Sequence, residues 1–223
     1  NWNIKHGLIN FLDKNRGLES AEKEIQIYME KYPDNNELYL WLSDIYLANN
    51  NTEKAVSILE KIISKENTDK YSLSARTSLA HINFIKGNKD IASKMVESIL
   101  KKSGNNPQAL LIRANISVDN GDYQSAVSDL RLIIHRQPQP KEALQLLSEV
   151  FLLQGYNDLA IETLNQLIDI DPANSPSLVR LAQLYNLNGE QAHALKILST
   201  VNKNDPNYAI GWENTARVAI SIK

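Results

Sequence analysis

The stretch QGYNDLAIETLNQLIDIDP, residues 154–172, recurs along the chain in altered forms. Clear copies are NGDYQSAVSDLRLIIHRQP at 120–138 and NGEQAHALKILSTVNKNDP at 188–206. Three weaker copies occupy residues 15–33, 49–67 and 86–104. Aligned on one small residue, the copies place alanine at Ala21, Ala55, Ala92, Ala126, Ala160 and Ala194. Four of the five intervals are 34 residues and one is 37, a regularity that indicates a repeat protein.

Each copy carries the apolar spacing of two successive amphipathic helices. Large apolar residues recur three and four positions apart in both halves, a period that is typical of a helix with one buried face. In the fifth unit the first half shows this at Ala143, Leu144, Leu147 and Phe151, and the second at Ala160, Leu164, Leu167 and Ile168. Sustained two-residue alternation is absent, so the sequence predicts an all-α fold built from helical hairpins.

The junctions between the helices have their own residue pattern. A residue that tolerates the left-handed conformation closes the first helix in five copies, and these residues are Asn50, Gly87, Gly121, Gly155 and Gly189. Proline follows the second helix at Pro33, Pro138, Pro172 and Pro206, where it can open the next turn but cannot continue a helix. We expect small residues at 80, 114, 148, 182 and 216 to face the repeated alanine of the second helix.

In order, spacing and residue type, this pattern resembles the tetratricopeptide repeat (TPR) family over essentially the whole chain. The match is close at Leu147–Ser148–Phe151–Gly155–Ala160–Leu164–Leu167–Pro172. The resemblance implies a right-handed superhelical solenoid of helix-turn-helix repeats, forming a single array over residues 1–223. The predicted repeats are 2–35, 36–69, 73–106, 107–140, 141–174 and 175–208, with a partial seventh repeat at 209–223.

Residues 70–72 are extra to the 34-residue period. One interpretation is a helix lengthened by about one turn, capped near Thr68 and Asp69, at a point where the superhelix changes pitch or flexes. The other is a surface insertion without consequence. The sequence leaves both open.

In TPR proteins the first helices line a concave surface, and the second, fifth, ninth, twelfth and thirteenth places of each repeat point into it. Here the ninth place is polar in every first helix, and the twelfth is mostly apolar between the second and fifth repeats. Such a surface suits an extended peptide or an amphipathic helix. The alternative is an ordinary solvated face beside ordinary packing. The predicted peptide-binding groove consists of Leu40, Asp44, Leu47, Thr77, His81, Phe84, Leu111, Asn115, Val118, Glu149, Leu152 and Gln183.

Composition excludes several classes of protein. The 24 basic and 26 acidic side chains give a net charge of -2, without the basic excess that a nucleic-acid-binding protein uses against phosphates. There is no cysteine, which excludes disulfides and thiolate metal sites. No apolar run approaches the length of a membrane span, so we expect no membrane insertion of this segment.

Motifs of catalysis are missing as well. The four histidines are far apart and no HExxH, GxGxxG, GxxxxGK[ST] or GxSxG motif occurs. We therefore expect no catalytic residue, no metal and no cofactor. Trp41, Tyr46, Tyr185 and Trp212 are expected in the core. The carboxylate clamp of some TPR co-chaperones needs a basic set on three consecutive repeats, and Asp44 and Glu149 would repel a carboxylate instead.

The leading functional hypothesis is a non-catalytic scaffold that binds a peptide or helix of a partner protein in its concave groove. A second is the TPR region of a larger enzyme or of a secretion or export component, and a third is a receptor for a short signalling peptide. The sequence GWENTARVAI at 211–220 also resembles bacterial TPR proteins of envelope and exopolysaccharide systems, including the exosortase-associated TPR lipoproteins. That likeness leaves a bacterial cytoplasmic and a periplasmic or envelope location open, and the oligomeric state is undetermined.

The ends of the chain carry a further expectation. The chain opens Asn1-Trp2-Asn3 without an initiator methionine, and its seventh repeat has a first helix without a second. We expect a processed or excised chain, in which Val218, Ala219 and Ile222 are covered by further sequence in the intact protein.

Overall fold

A computed structural model describes residues 2–64 and 70–221 of the chain, and within them all regular structure is helical. This confirms the predicted all-α class. The helices are α1 Trp2–Arg16, α2 Leu18–Lys31, α3 Asn36–Ala48, α4 Thr52–Ile63, α5 Lys70–Ile85, α6 Lys89–Lys102, α7 Pro107–Asp119, α8 Tyr123–Arg136, α9 Lys141–Leu153, α10 Asn157–Ile170, α11 Ser175–Leu187, α12 Gln191–Asn204 and α13 Ala209–Ser221.

The helices pair into hairpins in the predicted register. In five of the predicted repeats the two helices of the hairpin pack on each other: α1 on α2, α3 on α4, α5 on α6, α9 on α10, and α11 on α12. Successive hairpins are joined by contacts of the second helix with the next first helix, as between α4 and α5 or α10 and α11. Each hairpin therefore buries its apolar face against its neighbours, as repeat proteins do.

The turns inside the hairpins have the predicted backbone conformation. Gly155 has φ 77° and Asn50 has φ 57°, and the glycines in the corresponding turns are left-handed too. After Gly155 the amide of Tyr156 donates to the carbonyl of Phe151 at 2.8 Å, which caps a carbonyl that the helix leaves free. The left-handed residue thus closes the first helix and turns the chain into the second.

Close helix packing at the repeated alanine is confirmed. The alanines at the six aligned positions of the second helices are all fully buried, and so are Ala80, Ala114 and Ala182 on the first helices. Ser148, at the same place, is 2% exposed. The prediction is wrong for Ala216, which is exposed on α13.

The prediction of core aromatic residues is correct in part. Trp41 and Tyr46 are buried, and Tyr185 is half-buried beside the cluster of Leu178, Ala194 and Leu198. Trp212 is 53% exposed, so its assignment to the core was wrong. The reason is that Trp212 and Ala216 lie one turn apart on a face of α13 that no described helix covers, and the Trp212 indole only donates to the carbonyl of Pro206 at 3.0 Å.

The chain divides into two compact units, Asn1–Ile112 and Arg113–Lys223. In the first unit, one cluster is centred on Ile25, Leu38 and Trp41, and another on Leu59 and Leu79. In the second unit, Val218 is buried against Leu178, Val179 and Leu198 of α11 and α12, so folded residues of this chain already cover it. Ala219 is exposed and Ile222 lies outside the described residues.

The three extra residues lengthen a helix. Helix α5 has 16 residues, whereas α3, α7, α9, α11 and α13 each have 13. The proposed caps, Thr68 and Asp69, lie outside the described residues. A change of pitch or a hinge at this point stays a prediction, as does the single array over the whole chain.

Candidate peptide-binding surfaces

In the first unit all the predicted groove residues except Leu111 lie on two first helices, α3 and α5, that pack side by side. Helix α3 contacts both α1 and α5. Leu40, Asp44 and Leu47 follow one another at intervals of four and three residues, so they share one face of α3. The same spacing places Thr77, His81 and Phe84 on one face of α5.

The apolar members of this face are anchored in the core beneath. Leu40 and Leu47 are half-buried and pack on the cluster that contains Leu59 and Leu79, while Phe84 is half-buried on α5. They stabilise the stack and still present part of their side chains to solvent. The sequence left two interpretations open, ordinary packing of the repeats and an apolar strip available to a ligand. Leu40, Leu47 and Phe84 fit both, because each is partly buried and partly exposed.

Asp44 is in an unusual electrostatic position. Its side chain is exposed, yet the protein around it displaces enough water for burial to raise the pKa of its carboxyl, an effect that His6 opposes by its charge. The His6 ring is held by stacking on Trp41, with 4.6 Å between ring centroids and 16° between planes. Asp44 thus combines an accessible carboxyl with a pKa above its ordinary value.

The polar residues of α5 behave differently from each other. His81 is exposed and lies one turn from Phe84. Thr77 is 4% exposed and its hydroxyl donates to the carbonyl of Leu73 at 2.9 Å. Thr77 is thus engaged inside its own helix and offers nothing to a ligand in this conformation. Leu111, the remaining predicted residue of the first unit, is half-buried.

In the second unit the predicted residues present less polar surface than the sequence suggests. Glu149 on α9 is exposed, and the other predicted residues, Asn115, Val118, Leu152 and Gln183, are half-buried. The amide of Gln183 donates to Asn214 Oδ1 on α13 at 2.8 Å and its oxygen accepts from Arg180 at 3.3 Å. Gln183 therefore ties α11 to α13, which are in contact.

Hydrogen bonds at other places of the repeat also link neighbouring first helices. Asn49 donates to Asp13 at 2.8 Å, which joins the end of α3 to α1. Ser221 on α13 donates to Asn186 on α11 at 3.0 Å. Polar residues of the first helices, Gln183 at the ninth place among them, thus serve in part to hold neighbouring repeats together. Asp44, His81 and Glu149 are the predicted polar residues that remain exposed.

Sequence reasoning left out two exposed leucines at the thirteenth place of their repeats. Leu153 on α9 is 59% exposed and Leu187 on α11 is 75% exposed. They are separated by one 34-residue period, and this period was the signal that could have identified them. They extend the apolar surface of the second unit beyond Leu152.

Two further properties bear on the kind of site. Among residues 2–64 and 70–221, no three His, Asp or Glu side chains are grouped as metal ligands. No helix in that part of the chain combines the length and the apolar character needed to cross a lipid bilayer.

Comparison with known proteins assigns the sequence to a family. One family model, described as tetratricopeptide repeat, matches residues 18–79 and 151–213, and a second with the same description matches residues 113–175. No curated protein sequence matches the chain. The likeness of residues 211–220 to TPR proteins of envelope and exopolysaccharide systems stays a prediction.

Several solved structures have a similar fold. A chain of the APC/C hetero-tetramer Cut9–Hcn1 has a TM-score of 0.77 at 14% identity; the match covers 97% of this chain and 46% of that one. The type IV pilus biogenesis factor PilW has a TM-score of 0.74 at 17% identity, with 97% of both chains covered. YrrB, described as a TPR protein with an unusual peptide-binding site, has a TM-score of 0.57 at 15% identity, with 85% of this chain and 96% of YrrB covered.

These structures share the fold at low identity, and this chain spans less than half of the chain that it matches in the Cut9–Hcn1 assembly. The two family models together match well over half of the sequence, and their matched segments include hairpins of both units. The chain belongs to the tetratricopeptide repeat family.

Proposed function

We propose that this protein is a non-catalytic scaffold whose first-helix surfaces bind a peptide segment or a helix of a partner protein. Tetratricopeptide repeats are in general interaction scaffolds without catalytic activity, and one protein of similar fold, YrrB, is described as having a peptide-binding site. The observation that supports the proposal most is the face shared by α3 and α5. On each helix an exposed polar residue, Asp44 or His81, lies one turn from a half-buried apolar residue, Leu47 or Phe84.

The chemistry of this face selects the ligand. A partly desolvated carboxylate at Asp44 attracts a cation more strongly than a fully hydrated one, because water screens the charges less. The apolar parts of Leu47 and Phe84 favour an aliphatic or aromatic side chain next to that cation. In the second unit Glu149 and Leu152 repeat the acidic and apolar combination on α9. A basic, partly apolar peptide is the ligand that this arrangement fits.

An array of synthetic 12-residue peptides that vary in charge and in apolar content tests the proposal on the full chain. We expect peptides that combine Lys or Arg with Leu or Phe to bind. The Asp44→Lys variant should lose about tenfold in affinity for them, since it replaces attraction by repulsion at an exposed position that folding does not require. Phe84→Asp should lose binding as well.

Ile91 provides a matched control in the same unit. It is 51% exposed on the second helix α6, away from the predicted face, so Ile91→Asp introduces the same charge without touching that face. Circular dichroism verifies that each variant is folded. Equal peptide binding by the wild type, Asp44→Lys and Phe84→Asp would refute the proposal.

A further inference from the structure

Two clefts in the second unit are built from equivalent positions of consecutive repeats. The Phe151 cleft, of about 300 Å³, is lined by residues of α8, α9 and α10, and the Tyr185 cleft, of about 280 Å³, by residues of α11 and α12. Each of the five residues that line the Tyr185 cleft lies 34 positions after a residue that lines the Phe151 cleft. Phe151 corresponds to Tyr185, and Glu162 to Lys196. The repeat period therefore places two clefts at equivalent positions, although His193 of the Tyr185 cleft takes the place of Leu159.

These clefts are lined mainly by second helices, and their first-helix residues, Leu147, Phe151 and Tyr185, are not members of the predicted peptide-binding groove. In the Phe151 cleft, α9 lies at the base with Phe151 only 6% exposed, and Leu159 of α10 forms a wall that is 39% exposed. Leu187, by contrast, ends the first helix α11 and lines neither cleft. An apolar base below an accessible apolar wall accommodates one aliphatic or aromatic side chain.

The two clefts differ in charge. The Phe151 cleft is lined by the cationic Arg131 and the acidic Glu162, whose charges offset each other, and by His135. In the Tyr185 cleft the basic Lys196 takes the place of Glu162, and His193 beside it is bonded to Glu190 at 2.8 Å. An occupant with an acidic group near Lys196 is therefore complementary in charge.

The spacing of the clefts sets a minimum distance between the occupant's apolar side chains. Helix α11 packs on both α10 and α12, and the Phe151 and Tyr185 clefts lie on these consecutive second helices. Equivalent places on two second helices with a first helix packed between them are separated by about 10 Å or more, the diameter of a helix. An extended chain, which advances about 3.3 Å per residue, needs no fewer than three residues to span this distance.

We propose that the Phe151 and Tyr185 clefts together bind an extended segment of a partner protein that carries two apolar side chains three or more residues apart, with acidic residues beside the one at the Tyr185 cleft. This surface is separate from the first-helix surface and takes a ligand of opposite charge.

The test uses the full chain and an array of 14-residue synthetic peptides. Each peptide has two leucines separated by two to seven residues in a Ser/Gly background, with two Asp or two Lys residues next to one leucine or the other. We expect peptides with Asp beside a leucine and a spacing of three or more residues to bind at least tenfold more tightly than those with Lys. Lys196→Glu should reverse this charge preference.

Two leucine variants separate this surface from the first-helix surface. Leu159→Asp should weaken binding of the best acidic peptide by about tenfold or more, because it removes an apolar wall and adds a like charge. Leu187→Asp should leave it unchanged. Circular dichroism verifies that both variants are folded. The proposal is overturned if no acidic peptide binds, if binding is independent of leucine spacing, or if Leu187→Asp rather than Leu159→Asp abolishes it.

Discussion

Arg113 on α7 and Asp129 on α8 form a two-pronged ion pair in which Nε and Nη2 of the guanidinium each lie 2.7 Å from a carboxylate oxygen. Asp129 is 6% exposed and stands on the buried side of α8, next to the fully buried Leu130. A carboxylate at this depth needs a partner that satisfies both oxygens. The pair therefore fixes α8 against α7 where other repeats use apolar contacts.

The first prediction concerns that pair. Arg113→Ala leaves the Asp129 carboxylate buried without its bidentate partner, and we expect it to lower the free energy of unfolding by about 2–4 kcal/mol. The double variant Arg113→Leu/Asp129→Leu removes both charges and should recover most of this loss. Urea unfolding followed by circular dichroism measures both. If Arg113→Ala were as stable as the wild type, the ion pair would contribute nothing.

Gly211 is predicted to be required at the contact between α12 and α13. A Cβ atom there would lie 2.5 Å from Asn202 Oδ1 and 3.0 Å from Val201 Cγ1, both on side chains that are buried. Asn202 is also held by its bond to Thr215 at 3.0 Å. We expect Gly211→Ala to destabilise the protein by about 1–3 kcal/mol, despite the better helix propensity of alanine.

Gly7 is the matched control, because it is also helical and nothing lies within 4 Å of a Cβ added to it. Gly7→Ala should raise the free energy of unfolding by up to about 1 kcal/mol, through helix propensity alone. Thermal unfolding of the two variants, monitored by calorimetry, distinguishes them by the sign of the change in Tm. Changes of the same sign would contradict the proposed clash.

Asp44 is predicted to oppose folding at neutral pH. Burial raises the pKa of its carboxyl in the folded state above the ordinary value of 3.8, so the folded protein retains a proton that the unfolded chain has lost. Stability should therefore fall as the pH rises above about 3.8, through the range in which the folded carboxyl ionises. Asp44→Asn should be more stable than the wild type at pH 7 and lose this advantage at pH 3.

The same variant should bind basic peptides less tightly, because it lacks the carboxylate. Urea unfolding at a series of pH values and peptide binding at pH 7 provide the two measurements. A gain in stability with a loss of binding identifies Asp44 as a residue retained for its ligand. A variant that is less stable at pH 7 would contradict the proposed desolvation.

Tyr46 is predicted to stabilise the fold until the solution becomes strongly alkaline. Burial and a hydrogen bond to Glu22 raise the pKa of its hydroxyl to about 12. This contribution is complete below pH 10, where the unfolded tyrosine is still protonated, and is lost as the pH rises through about 12. Tyr46→Phe should lower the free energy of unfolding by about 1–2 kcal/mol at pH 8.

The difference in free energy of unfolding between the wild type and Tyr46→Phe should disappear between pH 10 and 12, as measured by urea unfolding. Tyr156, which is 53% exposed, supplies the control. Tyr156→Phe should leave stability at pH 8 nearly unchanged, since the removed hydroxyl lies at the surface. If this difference in free energy grew with rising pH, the pKa of Tyr46 would not be raised by folding.

Features set by local backbone geometry were predictable from the sequence. The left-handed turns at Asn50 and Gly155 follow from residue type, and the buried alanines follow from the helical period. Burial that depends on neighbouring helices was less predictable. Thr77 occupies a groove place by its position in the repeat, yet its hydroxyl is bonded inside its helix. Trp212 has the residue type of a core position but lacks a covering helix.

The candidate surfaces were predictable in outline but not in detail. The sequence located Asp44, His81 and Glu149, which are exposed as a ligand surface requires. It could not show that Gln183 is engaged by Asn214, because that bond spans 31 residues and depends on how two helices pack. The clefts at Phe151 and Tyr185 were missed, since their walls come from separate helices that no local pattern connects.

The three tryptophans are distributed unevenly between the two units. Trp2 and Trp41 belong to the first unit, where their rings contact each other at 5.9 Å between centroids, while the second unit has only the exposed Trp212. Unfolding changes the surroundings of Trp41 far more than those of Trp212, so intrinsic fluorescence reports mainly on the first unit. Helical ellipticity reports on both units. Overlay of the two signals during denaturation therefore reveals whether the halves of the chain melt together or in succession.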